Sequence, residues 1–229
     1  MLLEKVISIM AVTASLLDGG MDAAMPDKNI DGTAFLVNRQ HVISELYVPE
    51  VRKTDLYGMS QSMREDAATA LEELFAAAKE EAGYSLSTVS GYRSYSKQAT
   101  IYARKKANTG SAEKADQLVA KAGTSEHQLG LAMDIAKKGS SQLNGGFGKT
   151  KEGQWVNENA HRFGFIVRYQ EGYEEITGYS YEPWHVRYVG KEHAKAIYES
   201  GVPMETYISA HRLEICDFLI HQVTNEVLP

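Results

Sequence analysis

The chain has 229 residues, of which 43% are hydrophobic, so it can bury a sizeable core in one domain and needs no second domain. Its formal net charge of -6 and isoelectric point near 5.7 argue against a nucleic-acid-binding protein, which would carry a basic patch or stripe. A single cysteine, Cys216, rules out an intramolecular disulfide and a closed thiolate metal site.

Residues 1–32 are predicted to be a signal or anchor segment followed by a linker. Val6 to Leu17 is a mostly apolar run after Lys5, with the length of a signal-peptide core and too short to span a membrane as a helix. We therefore expect export to the cell envelope, either free or anchored to the membrane. Glu4 cancels the charge of Lys5 and no clean cleavage site follows, so a short helix of a cytoplasmic enzyme stays open as the alternative.

Residues 33–229 are predicted to form one α+β domain, with helices beside a mainly antiparallel sheet. The spacing of apolar residues predicts helices at Gln61 to Ala82, at Ser96 to Lys106 with Ser96 as its cap, and at Ala112 to Ala122. Strands are predicted at Leu86 to Val89, Gly130 to Ile135, Phe165 to Tyr169 and His185 to Val189.

The end of the chain is predicted to be an amphipathic helix. Its apolar positions include Tyr207-Ile208, Ile215 and Phe218-Leu219. Cys216 lies within this pattern, where a small buried thiol is a more usual role than a nucleophile. A cysteine peptidase is therefore a poor interpretation of the sequence.

Four polar residues in two short runs predict a metal site with a base beside it. His127 and Asp134 stand in Ser125-Glu-His-Gln-Leu-Gly-Leu-Ala-Met-Asp134, and Glu182 and His185 in Glu182-Pro-Trp-His185. Two imidazoles and one carboxylate hold a catalytic Zn²⁺ at three corners and leave the fourth to water. A further carboxylate close by suits a general base acting on that water.

The local sequence places His127 on a loop and Asp134 on the strand that follows it. Proline disfavours a helix before it, so Glu182 is expected on a loop that leads into the strand of His185. Each run alone is weak evidence, because His-x6-Asp and Glu-x-x-His arise often by chance. Trp184 beside a hydrogen-bonded His185 would also serve as ordinary core.

Three sequence motifs taken together are more specific evidence than either run alone. Ser90-Gly-Tyr-Arg-Ser94, the run from Ser125 to Asp134, and Glu182-Pro-Trp-His-Val-Arg-Tyr-Val-Gly190 resemble the D-alanyl-D-alanine carboxypeptidases of the VanY type. These belong to the LAS zinc peptidases, named for lysostaphin, D-Ala-D-Ala peptidases and hedgehog. The resemblance covers about Phe35 to Gly190 and implies the hedgehog/D,D-peptidase fold.

The resemblance also implies roles for individual residues. It implies that His127, Asp134 and His185 bind zinc, that Glu182 is the catalytic base, that Arg93 acts beside the metal, and that Ser125 and Gln98 contact the substrate. A guanidinium can donate two hydrogen bonds to a carbonyl or carboxylate and stays charged. The plainer alternatives are a surface ion pair for Arg93 and a loop cap for Ser125.

By the same resemblance, the expected reaction is hydrolysis of the terminal D-Ala from peptidoglycan stem pentapeptides. In relatives this reaction lowers the supply of the D-Ala-D-Ala target of glycopeptide antibiotics. A D,D-dipeptidase or an L,D-carboxypeptidase using the same zinc site remains an alternative. A hedgehog-like binding module without catalysis is a further one, against which Glu182 and the complete ligand set argue.

Overall fold

The computed structural model describes residues 33–211. The N-terminal run from Val6 to Leu17, Cys216 and most of the predicted C-terminal helix lie outside this range, so the predictions made for them stay predictions. Within residues 33–211, no helix has both the length and the apolarity needed to cross a bilayer.

A four-stranded antiparallel sheet forms the centre of the fold. In chain order its strands are β3 (Leu86–Ser90), β4 (Ala132–Lys137), β5 (Phe165–Tyr169) and β6 (Glu182–Tyr188), and in space they run β3-β4-β6-β5. A separate two-stranded ribbon pairs β1 (Arg52–Lys53) with β2 (Ser62–Met63). The predicted antiparallel α+β architecture is confirmed.

Helices flank this sheet. They are α1 (Glu65–Ala82), α2 (Tyr95–Thr109), α3 (Ala112–Leu118), α4 (Lys151–Asn159), α5 (Glu174–Thr177) and α6 (Lys191–Ser200), and residues 204–211 are also helical. Short 3-10 turns lie at Glu126–Leu129, Phe147–Lys149 and Ala160–Phe163. The larger core cluster joins α1 to the sheet through Leu71, Leu74, Met133, Ile135 and Val186.

Two predicted helix starts are wrong, each for a local reason. The first helix begins at Glu65 rather than Gln61, because residues 62–63 pair with β1 and the Arg64 N–H donates to the Gly130 carbonyl at 2.8 Å. The second begins at Tyr95, because the hydroxyl of Ser94, not of Ser96, accepts the N–H of Lys97.

The third predicted helix ends early, at Leu118 instead of Ala122, because Val119 is already extended. The last strand begins at Glu182 instead of His185, so Glu182 is not on a loop. Glu182 pairs with Tyr169 next to a register shift in β5. Pro183, which follows Glu182, has no N–H to donate to a neighbouring strand, and an irregularity in the strand pairing can accommodate such a residue.

Gly130 makes the turn between the 3-10 segment of His127 and strand β4. Its φ is +71°, and a Cβ added there would lie 3.0 Å from Cγ1 of Val51. Gly110 ends α2 with a similar φ of +66°, but a Cβ there would meet nothing within 4 Å. The two glycines therefore share the backbone conformation and differ in the space around them.

We expect Gly130→Ala to destabilise the protein by about 2–3 kcal/mol, since the left-handed conformation costs about 1–2 kcal/mol for a residue with a Cβ and the contact with Val51 adds to this. Gly110→Ala should cost only about 1 kcal/mol. Urea unfolding of the chelator-treated proteins measures both. Equal losses would show that the space around Gly130 is not limiting.

Candidate active site

The pairing of β4 with β6 brings together residues that are far apart in the chain. Asp134 lies directly opposite His185, and on its other side Asp134 pairs with Ser90 of β3. Side chains opposite each other in an antiparallel pair lie about 4.5–5.5 Å apart at Cβ. The sheet register therefore fixes the separation of the carboxylate and the second imidazole.

His127 joins this pair from the 3-10 turn that precedes β4. Its Nδ1 lies 2.8 Å from the carbonyl oxygen of Gly91, which can only accept, so Nδ1 carries the hydrogen. The free Nε2 then lies 3.4 Å from Oδ2 of Asp134. Nδ1 of His185 lies 3.1 Å from Oδ1 of the same carboxylate.

The three side chains have the geometry of a metal site. One ligand atom from each of His127, Asp134 and His185 lies within 4.8 Å of the others, and all three residues are buried. Tetrahedral ligands at zinc bond lengths of ~2.0–2.1 Å are about 3.3 Å apart, close to the two imidazole–carboxylate distances of 3.4 and 3.1 Å, each to a different oxygen of Asp134. Two nitrogens and one oxygen leave a fourth position open, as in catalytic rather than structural zinc sites.

Glu182 stands beside this group without belonging to it. Its Oε2 is 3.9 Å from Nδ1 of His185. Burial raises the pKa of Glu182 to about 7, and the charge of Asp134 adds to the effect although His185 opposes it. A carboxyl group with this pKa can accept and return a proton near neutral pH.

The two imidazoles differ in their surroundings. Burial lowers the pKa of His127 to about 4, and the Arg93 charge works in the same direction. Burial also disfavours a charged His185, but hydrogen bonds with Asp134 and Glu126 outweigh it and raise the pKa of His185 to about 9. Burial disfavours the charged form of Asp134 too, yet the two histidines hold its pKa well below the usual range.

Arg93 points at the ligand group. Its Nη2 lies 2.8 Å from Oδ2 of Asp134 and 3.0 Å from Nε2 of His127, while Nε donates to Ser90 and Nη1 to Gln98. Arg93 is therefore not a surface ion pair. Its Nη2 donates to Nε2 of His127 and to a carboxylate oxygen of Asp134, which are atoms that could also bind a metal ion.

Gln98 and Ser125 differ in how firmly the protein holds them. Gln98 is buried, accepts from Arg93 at 3.1 Å and donates to the Ala120 carbonyl at 2.7 Å, so both ends of its amide have protein partners. Ser125 is buried at the start of the 3-10 turn, where its hydroxyl does not cap the turn. The capping alternative for Ser125 is therefore not supported.

All seven predicted residues line one cleft of about 420 Å³. They are Arg93, Gln98, Ser125, His127, Asp134, Glu182 and His185. Tyr169, Tyr179 and Trp184 add aromatic walls, so Trp184 is part of the cleft and not only core. A larger groove of about 790 Å³ lies beside α1 and contains none of the seven.

Sequence reasoning missed the residues behind His185. Glu126, Arg168 and Arg187 have fully buried side chains, and Arg168 and Arg187 both donate to Oε1 of Glu126. Burial disfavours a charged Glu126, but the two arginines hold its pKa well below the usual range. A signal was available in β5, where Arg168 interrupts an otherwise apolar strand and so indicates a buried acidic partner.

A buried His-Asp-His group with an open position, next to a carboxyl group that can take up a proton, is an arrangement found in metal-dependent hydrolases, and we assign the chain to that class. Residues 60–191 match the family described as VanY, D-alanyl-D-alanine carboxypeptidase. The chain belongs to this family, and the prediction of a carboxypeptidase enzyme is confirmed.

Individual relatives agree with this assignment. The D-alanyl-D-alanine carboxypeptidase of Enterococcus faecalis is 40% identical over 187 residues, which are 77% of this chain and 66% of that enzyme. The LdcB LD-carboxypeptidase structure is 41% identical with a TM-score of 0.73, covering 81% of this chain and 92% of LdcB. A VanY D,D-pentapeptidase mutant in complex with Zn(II) is 38% identical with a TM-score of 0.67, covering 77% and 98%.

The purified protein should contain about one divalent metal ion per chain, and zinc is expected because the ligand set has two nitrogens and one oxygen. His127→Ala, Asp134→Ala and His185→Ala should each lose most of this metal. His161→Ala, which removes a histidine stacked on Tyr198 outside the cleft, should keep it. Elemental analysis after purification without chelator measures all five proteins, and a metal-free wild type would contradict the assignment.

Proposed function

We propose that this chain is a zinc-dependent D,D-carboxypeptidase that releases the terminal D-Ala from peptidoglycan stem pentapeptides. The observation that carries the proposal is the buried group of His127, Asp134 and His185 with Glu182 beside it at one cleft. The VanY family match and the relative solved with Zn(II) support the metal and the reaction.

The metal ligands in this proposal are Nε2 of His127, a carboxylate oxygen of Asp134 and Nδ1 of His185. The Gly91 carbonyl accepts from Nδ1 of His127, which leaves Nε2 as the free donor atom. Zinc held there would polarise the scissile carbonyl and lower the pKa of a water from 15.7 towards ~7.

Glu182 is the proposed general base and acid. Its carboxylate removes a proton from water while the water oxygen bonds to the carbonyl carbon of the terminal peptide. It then gives that proton to the nitrogen of D-Ala as the carbon–nitrogen bond breaks. Its raised pKa suits both transfers, because the group changes protonation state near neutral pH.

Arg93 is proposed to bind the substrate when the metal is present. Nε2 of His127 has one free lone pair, which cannot serve both Nη2 of Arg93 and a metal ion. With the metal bound, Nη2 is available for the terminal carboxylate or the developing oxyanion. Gln98 and Ser90 hold the other two nitrogens of the guanidinium and keep it at the cleft.

Ser125 and Gln98 are proposed to complete the substrate site. The buried Ser125 hydroxyl lines the cleft next to His127 and can bond a substrate carbonyl or carboxylate. For Gln98, the hydrogen bond to Arg93 favours a role in orienting that guanidinium. Both residues would therefore contribute to binding rather than to proton transfer.

An L,D-carboxypeptidase acting on tetrapeptides is the second candidate. The observation that favours it is the likeness to LdcB, whose TM-score of 0.73 exceeds the 0.67 of VanY. The two reactions share the metal and the base and differ in the stereochemistry of the residue before the scissile bond. The configuration that the cleft accepts at that residue therefore decides between the D,D- and the L,D-carboxypeptidase.

The proposed substrate is a component of the cell wall, so we also propose that the enzyme acts in the cell envelope. Export or membrane anchoring through the run from Val6 to Leu17 would place it there. This proposal depends on residues outside the described range. Detection of the protein in the cytosol alone would contradict it.

Glu182→Gln preserves the shape of the side chain and removes its ability to take a proton. We expect the variant to keep about one zinc per chain and to lose turnover by on the order of 10²–10⁴-fold. Parallel zinc analysis and D-Ala release measure the two properties. Loss of zinc in Glu182→Gln would identify Glu182 as a ligand and contradict its role as the base.

A panel of three substrates tests the bond that is cleaved. We expect release of one D-Ala from a stem pentapeptide at a higher rate than cleavage of the tetrapeptide or of free D-Ala-D-Ala. Mass spectrometry of the products separates the outcomes. Preference for the tetrapeptide would select the L,D-carboxypeptidase, and preference for D-Ala-D-Ala would select a dipeptidase.

The acid and amide forms of one pentapeptide test the role of Arg93. A fixed guanidinium forms two charge-assisted hydrogen bonds with a carboxylate but not with an amide, so the acid should be cleaved at least about tenfold faster. Arg93→Lys should reduce this preference, because an ammonium group lacks the planar pair of donors. Equal rates for the two forms would remove Arg93 from carboxylate binding and indicate an endopeptidase.

A further inference from the structure

A chain of buried charges lies behind His185, on the side of the ring away from Asp134. We call Glu126, Arg168, Arg187 and Glu205 the buried charge network. It contains two carboxylates and two guanidinium groups, so its formal charge is balanced. Removing one member would leave a buried charge without its partner, which is costly in a protein interior.

Glu126 connects this network to the metal-binding group. Its Oε2 lies 3.2 Å from Nε2 of His185, and its Oε1 accepts from Arg168 at 2.8 Å and from Arg187 at 2.7 Å. A carboxylate with two arginine donors accepts the hydrogen of Nε2. When His185 is neutral, as a metal ligand must be, its lone pair is therefore on Nδ1, the nitrogen that lies 3.1 Å from Asp134.

Glu205 holds the outer end of the network. It forms a bidentate pair with Arg168 at 2.9 and 2.6 Å, and Asn38 donates to the same carboxylate at 3.2 Å. Arg187 is held separately by the backbone carbonyls of Thr33 and Phe35. The arginines are therefore fixed on their far sides as well as by Glu126.

The outer residues lie outside the part of the chain that matches the family. The match covers residues 60–191, whereas Asn38 precedes it and Glu205 follows it. Glu205 is on the helical residues 204–211, whose buried Met204 and Ile208 pack in the second core cluster with Leu36. The position of the Glu205 carboxylate thus depends on the docking of this helix.

We propose that Glu126 and Glu205 are positioning residues for the metal site, and that Glu205 sets metal affinity from a distance by holding Arg168. The inference rests on the proposed role of His185 as a ligand. Without the charge of Glu205, the anionic partner that Arg168 keeps among residues 33–211 is Glu126. Arg168 then attracts Glu126 more strongly, which weakens the hydrogen bond that Nε2 of His185 donates to Glu126. The ring of His185 is then less well fixed towards Asp134.

The test compares Glu205→Gln with wild type in the full-length protein. Zinc affinity, measured by competition with a chromophoric chelator, should fall by on the order of threefold to tenfold, and for Glu126→Gln by about 10–100-fold. The visible spectrum of the Co²⁺-loaded protein should shift in both variants, because it reports the ligand arrangement directly. Purely structural roles would lower stability and leave the affinity and spectrum of the folded protein unchanged.

The chain offers a matched control in Glu81→Gln. Glu81 also forms a bidentate pair with an arginine, Arg162, at 2.7 and 2.7 Å, but this pair is exposed and has no contact with the cleft. Its loss should leave zinc affinity and the Co²⁺ spectrum as in wild type. An equal effect of Glu81→Gln and Glu205→Gln would overturn the inference.

The double variant tests whether Glu205 acts through Glu126. In a Glu126→Gln background, Glu205→Gln should cause little further loss of zinc affinity, because the connection is already broken. Fully additive effects would overturn the proposal. If Glu126→Gln does not fold, Glu205→Gln decides alone, since the Glu205 side chain is 12% exposed and the amide oxygen of a glutamine can still accept a hydrogen bond from Arg168. A wild type that binds no zinc or releases no D-Ala would contradict the proposed function. A wild type with normal zinc binding and turnover, together with a Glu205→Gln variant of unchanged zinc affinity, would contradict only this inference.

Discussion

The active site depends on the antiparallel pairing of β4 with β6. This pairing places Asp134 opposite His185, although 50 residues lie between them in the chain. A shift of one residue in the register would turn one of the two side chains to the other face of the sheet, so the metal-binding group exists in only one register. The adjacent pair of the ladder, Met133 and Val186, is apolar and buried in the core, which favours that register.

The buried charges around Asp134 and His185 are tolerated in the protein interior because each has a partner of opposite charge or a hydrogen-bond partner. Asp134 contacts Arg93 and both histidines, and Glu126 has two arginines and His185. Buried ion pairs contribute little net stability compared with apolar residues, but breaking one is strongly destabilising. The arrangement is therefore best understood as a means of holding ligand atoms in fixed positions, which a metal site requires.

The sequence allowed a correct prediction of the fold class and of the residues that meet at the cleft. The observed strand Phe165–Tyr169 has the predicted bounds, because a five-residue run rich in β-formers that follows a glycine is too short for an ordinary helix. Helix ends were predicted less well. The start of α1 depends on a backbone hydrogen bond from Arg64 to Gly130, a contact between residues that are 66 positions apart.

The sequence by itself determined the chemistry of the site: the residue types of a metal site, their spacing in two runs, and the family that shares these motifs. Tertiary structure decided how those side chains are held. Glu126, Arg168 and Glu205 carry no recognisable spacing, since they come from a turn, a strand and a terminal helix that meet only in the folded core. Local patterns record which atoms can bind a metal, but the orientation of His185 depends on long-range contacts that only the folded chain brings together.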